Sequence, residues 1–166
     1  MSRLTSVLLV EDDETDVLLL QRAFKNAEIP NPLEITRDGQ EAIDFLSRAR
    51  NPGADFLPAL ILLDLKMPRK SGMDVLAWKR EQQVIATLPV IVFSSSAHRD
   101  DVERAYALGA NAFLVKPPSL GERLKLIGFM KQWLAFNQPP LACIEGFHSA
   151  QDSYARRAMT GQRAAL

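Results

Sequence analysis

A second cysteine is missing from this chain, so Cys143 has no intramolecular partner and a reducing compartment, the cytoplasm, is expected. Net charge is missing as well. Twenty Lys and Arg balance twenty Asp and Glu, which leaves no global field to draw the chain to nucleic acid or to an anionic membrane. Long apolar runs are also lacking: Val7 to Val10 is too short for a signal-peptide core, and nothing approaches the roughly 20 residues of a membrane span. Neither GxxxxGKS/T nor GxGxxG occurs, so no sequence feature predicts nucleotide binding. His98 and His148 have no companions at metal-ligand spacing, and there is no internal repeat or low-complexity tract.

What is present is an ordinary globular composition, 47% apolar over 166 residues, which fits one domain. Four short apolar runs stand out: Val7–Val10, Leu60–Leu63, Val90–Phe93 and Ala112–Val115. They are continuous rather than alternating, which predicts strands buried on both faces. A weaker fifth, Leu33–Thr36, follows Pro30 and Pro32. Helical spacing fills the gaps, as with Ala42, Phe45, Leu46 and Ala49, and predicts helices near 14–27, 39–50, 72–83, 98–109 and 119–137. Strand and helix alternate five times, the pattern of a doubly wound α/β domain with a parallel sheet. Gln138-Pro139-Pro140 then stops the last helix, leaving residues 138–166 as a tail with no recognisable output domain.

In an open parallel sheet, ligands bind beyond the carboxyl ends of the strands. Here those ends carry Glu11-Asp12-Asp13, Asp64, Ser94-Ser95-Ser96 and Lys116-Pro117. Singly, each has a plain structural reading: an Asp or Ser can cap a helix or shape a turn, and a Lys can be a solvated cation. Together, carboxylates converging at one sheet edge repel one another unless a cation sits among them. Oxygen ligands without His or Cys favour Mg²⁺, the ion of phosphate chemistry. Lys116 then offers a point charge for a phosphate oxygen, Ser94 a hydroxyl, and a carboxylate such as Asp64 can be the nucleophile toward phosphorus. The sequence supplies no phosphate donor, so a partner or a small phosphodonor must.

These residues resemble those of a response-regulator receiver domain over roughly residues 4–137. The pieces that carry the resemblance are Leu8-Leu9-Val10-Glu11-Asp12-Asp13, Leu62-Leu63-Asp64-Leu65-Lys66-Met67-Pro68 with Gly72 eight residues after the aspartate, Pro89 through Ser94, and Val115-Lys116-Pro117. The resemblance implies a flavodoxin-like fold with strand order 2-1-3-4-5, and a partner histidine kinase. It implies that Asp64 is the phosphorylated aspartate, that Asp12 binds Mg²⁺ directly and Glu11 through water, and that the Lys66 carbonyl is a further ligand. Lys116 is expected to bind the phosphoryl group, with the Lys116–Pro117 peptide cis; Ser94 and Phe113 fall at the switch positions, and Asp13 is left to cap a helix. The segment Ser47–Pro58, with Pro68-Arg69-Lys70-Ser71-Gly72, is similar to single-domain receivers that serve bacterial phytochrome kinases. Pro118 departs from the family pattern, which often has an aromatic or other apolar residue there.

The rival function is a small Mg²⁺-dependent phosphohydrolase with an aspartate nucleophile. Such enzymes carry an acid/base aspartate two residues after the nucleophile, where this chain has Lys66. The last helix carries more apolar surface than a sheet covers: Leu120, Leu124, Ile127 and Leu134, extended by Leu126, Phe129, Met130, Trp133 and Phe136. That excess predicts a homodimer or partner face, with the alternative that the tail folds back through Leu141, Ile144 and Phe147. The tail's Arg156, Arg157 and Arg163 are offset by Glu145 and Asp152, and nucleic-acid binding is not expected. Trp78 and Trp133 read first as packing residues.

Overall fold

A computed structural model describes residues 5–49, 57–83 and 85–138. Five strands alternate with five helices: β1 (Val7–Val10), α1 (Glu14–Asn26), β2 (Leu33–Thr36), α2 (Gly39–Ala49), β3 (Leu60–Leu63), α3 (Gly72–Arg80), β4 (Val90–Ser94), α4 (Arg99–Ala107), β5 (Ala112–Val115) and α5 (Leu120–Phe136). One turn of 3-10 helix, Ile85–Thr87, precedes β4 and carries no periodic signal in the sequence. All neighbouring strands are parallel, in the order β2-β1-β3-β4-β5. This is the flavodoxin-like receiver fold, with the chain reversing direction across the sheet between β1 and β3.

Hydrophobic side chains on the two sheet faces form separate cores. Leu8, Val10, Ile61, Leu63, Val90 and Val92 pack with Ala42, Leu46 and Leu76 from α2 and α3, and with Ala105 from α4. Val7, Leu9, Leu60, Leu62 and Phe93 pack with Val17, Leu20 and Phe24 from α1 and with Ile127 and Met130 from α5. Every residue of β1 and β3 is buried, as continuous apolar strands require. Each such side chain contributes about 1.5–3 kcal/mol of transfer free energy.

β5 departs from that expectation. It lies at the sheet edge and is only half-buried, with Val115 exposed, because among the described residues no further strand pairs with its outer side. Helix boundaries follow local chemistry. Asp13, Ser71 and Ser119 cap α1, α3 and α5 by accepting backbone N–H bonds from Asp16, Asp74 and Glu122. Beyond α4, Gly109 turns at φ +95, where a side chain would be disfavoured. Among the described residues no helix is long and apolar enough to cross a membrane. The tail beyond Gln138, including Cys143 and His148, and most of the Ser47–Pro58 segment lie outside the described residues.

Candidate functional site

The parallel register brings the predicted residues to one edge. Val10 pairs with Leu63, so Glu11, Asp12 and Asp64 follow from adjacent strand ends. Carboxylate oxygens of Glu11, Asp12 and Asp64 all lie within 4.8 Å of one another. Asp12 is exposed, whereas Glu11 and Asp64 are buried. On the other side of Asp64, Ser94 ends β4 beside Val115, and the Lys116 amide donates to the Ser94 carbonyl at 2.8 Å.

Among the described residues, Asp64 Oδ1 is buried and accepts no hydrogen bond. The nearest cation, Lys116 Nζ, stands 3.8 Å away, beyond hydrogen-bonding reach. A buried carboxylate oxygen without a partner is costly, and that cost is relieved by a cation or by covalent modification. Three convergent carboxylates and an orphaned oxygen therefore fit a hard divalent ion bound by oxygen ligands. Burial pushes the Asp64 carboxyl above its ordinary range, against the opposing pull of Lys116 and the Leu65 and Lys66 amides. Lys66 itself is exposed in the loop that follows.

Lys116 is bound more tightly on its other side. Its ammonium, almost fully buried, donates to Glu11 Oε2 at 2.6 Å and to Asp16 Oδ2 at 2.8 Å. It also stands 5.9 Å from the centroid of the Phe93 ring. Burial raises the Glu11 carboxyl to about 7, with the Lys116 hydrogen bond acting the other way. Burial would lower Lys116, but its bonds to Asp16 and Glu11 outweigh that and hold its pKa above the usual lysine value. Glu11 Oε1 accepts the Asp13 amide at 3.2 Å, so this side chain links the acidic edge to the cationic one.

Asp16 escaped sequence reasoning. It lies in the first turn of α1, just beyond the acidic edge, and its role depends on partners from β5 and α5 that no local spacing signals. Burial alone would raise its carboxyl, yet bonds from Lys116 and Arg123 hold it below the usual range. Arg123 Nη1 reaches Asp16 Oδ1 at 2.5 Å, and Arg123 Nε donates to the Pro117 carbonyl at 2.7 Å. The Lys116–Pro117 peptide is trans, which corrects the cis expectation. Trans is the default by about 0.5–1 kcal/mol before proline, and the Arg123 bond to the Pro117 carbonyl accompanies that path into α5.

A second missed pair steadies the loop after Asp64. Arg69 sits at φ 62, an unfavourable left-handed position for a residue with a side chain. Its guanidinium is ion-paired with the buried Asp38 carboxylate and reaches Glu41 at 3.4 Å. Asp38 also accepts the Glu41 amide at 2.9 Å at the start of α2.

Of the two expected switch residues, Ser94 ends β4 at the site and Phe113 lies further back in β5. Ser94 is buried, with its Oγ 3.5 Å from the Ser96 amide. Phe113 packs half-buried against the core, opposite Val92 in the ladder, and its amide donates to the Tyr106 hydroxyl at 3.2 Å. On α5, Ile127 and Met130 are buried and Leu124, Leu126, Trp133 and Leu134 pack half-buried, so α1 and the sheet cover most of the apolar arc. Phe129 and Phe136 remain 69% and 84% exposed.

Residues 7–127 match the response regulator receiver domain family. The chain is 35% identical over 135 residues to the probable methanogenesis regulatory protein FilR2 of Methanothrix harundinacea, covering 81% of this chain and 86% of the relative. It is 37% identical over 129 residues to the response regulator Rcp1 of Synechocystis, covering 77% and 88%. The Mn(2+)-bound form of Rcp1 superposes with a TM-score of 0.73 at 34% identity, over 82% of this chain and 99% of that one. The phosphorylated cyanobacterial phytochrome response regulator RcpA gives 0.75 at 30% identity, over 83% and 99%. By this match, and by the acid, hydroxyl and lysine positions gathered at one sheet edge, the chain belongs to the response regulator receiver domain family.

Proposed function

We propose that this chain is a phosphoacceptor signalling domain in which Asp64 takes a phosphoryl group from a sensor histidine kinase in a Mg²⁺-dependent reaction. The observation that carries this reading is the orphaned Asp64 Oδ1, buried beside two further carboxylates and 3.8 Å from a lysine. A carboxylate oxygen of Asp64 attacks phosphorus; the new O–P bond forms as the N–P bond of the donor phosphohistidine breaks, and the leaving imidazole keeps the bonding pair. Glu11, Asp12, Asp64 and the Lys66 carbonyl would hold Mg²⁺, which when bound supplies positive charge to the phosphoryl oxygens. Lys116 contributes its third ammonium N–H to the same oxygens, since the other two already serve Glu11 and Asp16.

The acyl phosphate carries about −1.5 to −2 charge where the ionised Asp64 carboxylate carried a single negative charge. Ser94 turns its hydroxyl inward to meet it, and Phe113 follows into the space released, which changes the α4-β5-α5 face. The domain spans residues 4–137 and signals through protein contacts, without an output domain recognisable in 138–166. A cytoplasmic phytochrome-type kinase is the proposed partner, supported by the likeness to RcpA, a cyanobacterial phytochrome response regulator. Phe129 and Phe136, exposed on α5, supply a homodimer contact.

Intact mass tests the proposal. With a small phosphodonor and Mg²⁺, wild type is expected to gain one phosphoryl group, and neither a chelated sample nor Asp64→Asn is. Equal labelling of Asp64→Asn would refute it.

A further inference from the structure

Asp16 holds one cation with each of its two oxygens. Oδ2 accepts from Lys116 at 2.8 Å and Oδ1 from Arg123 at 2.5 Å. Both cations have a second anchor. Lys116 is tied to Glu11 Oε2 at 2.6 Å, inside the acidic site, and Arg123 Nε to the Pro117 carbonyl at 2.7 Å, in the turn between β5 and α5. A continuous path of charge-assisted bonds thus runs from Glu11 through Lys116, Asp16 and Arg123 to the start of α5. Asp16 and Arg123 are each only 17% exposed at their side chains, so solvent screens the path little.

We propose that Asp16 and Arg123 are positioning residues that convey the charge state of Asp64 to α5. The inference rests on Asp64 being the phosphoryl acceptor, and it gives that event a route that the hydroxyl and aromatic switch does not use. A phosphoryl group on Asp64 competes with Asp16 for Lys116, with roughly twice the charge of one carboxylate. As Lys116 moves toward Asp64, Asp16 loses one of its two cations and closes on the other. Arg123 follows it and carries the Pro117 carbonyl and the first turn of α5 along. In the unphosphorylated state the same bonds aim Lys116, because two of its three donors are taken and the third is left toward Asp64.

The test reads amide resonances of the full-length chain before and after treatment with acetyl phosphate and Mg²⁺, with intact mass recorded on each sample. Gly72 reports on the acidic site, and Gly121 and Gly128 report on α5. In wild type all three are expected to move. In Arg123→Gln, mass and the Gly72 shift should still register the phosphoryl group, while the Gly121 and Gly128 shifts are lost. Asp16→Asn is expected to lose the α5 response as well. A purely structural role for these residues would alter the starting spectrum but leave the increment on phosphorylation. Shifts of wild-type size at Gly121 and Gly128 in either phosphorylated variant would overturn the inference alone. Absence of any mass gain in wild type would instead refute the acceptor reading, and this inference with it.

Discussion

A Cβ placed on Gly72 would stand 2.2 Å from the carbonyl oxygen of Asp64 and 2.9 Å from Leu65 Cα. The Gly72 amide also donates to the Leu65 carbonyl at 3.1 Å, so the start of α3 is pressed directly onto the backbone that aims Asp64. Because the obstruction is backbone, relief requires the loop itself to move. Gly72→Ala is expected to destabilise the fold by about 1–3 kcal/mol and to slow phosphoryl uptake at Asp64. Urea unfolding and timed intact mass check both parts; an unchanged urea midpoint would show that the loop yields freely.

Arg69 is largely exposed, yet its partner Asp38 is buried. Arg69→Ala therefore leaves a buried carboxylate with less compensation, and it removes a side-chain anchor from a residue held at positive φ. The expected loss is about 1–3 kcal/mol, much more than exposed ion pairs usually contribute. Urea midpoints of wild type and Arg69→Ala decide this, and a difference within measurement error would count against it.

Lys79 gives a pH dependence remote from the acidic edge. Its ammonium is buried, donates to the Ala86 carbonyl at 2.8 Å, and is lowered by burial from 10.5 to about 8. Between those values the unfolded chain binds the proton that the folded chain has lost, so Lys79 makes stability rise as pH increases from about 8 to 10.5. The gain amounts to ~3 kcal/mol at most. Lys79→Met is expected to remove that increment, seen as a flatter difference in unfolding free energy across the window. A rise of the same size in the variant would contradict the assignment.

Phe129 and Phe136 test the proposed dimer contact better than Trp133, which packs half-buried against the core. Phe129→Glu is expected to shift sedimentation toward monomer while leaving the unfolding free energy within about 0.5 kcal/mol of wild type. An unchanged sedimentation profile would remove Phe129 from any such contact.

The sheet is legible in the sequence because continuous apolar strands carry their signal in every residue, and all five lie within one residue of their expected ends. The acidic edge is legible for a related reason, since a strand end fixes where its next residue goes. Asp16 and Arg123 are not, because their meeting depends on how α1 packs against α5, which no local pattern encodes. Arg69 and Asp38 are hidden likewise, being 31 residues apart and joined only when the loop after β3 reaches the start of α2. The apolar excess of α5 is real but smaller than its sequence suggests, because α1 and the sheet take up all but a few of its side chains.

Residence of the phosphoryl group on Asp64 is the central claim. Borohydride reduces an aspartyl phosphate to homoserine, so peptide mapping after treatment with phosphodonor, Mg²⁺ and borohydride locates the acyl phosphate by residue. Homoserine is expected at position 64, with aspartate kept at positions 12, 13 and 16. Homoserine at one of those three positions, with Asp64 intact, would contradict the claim.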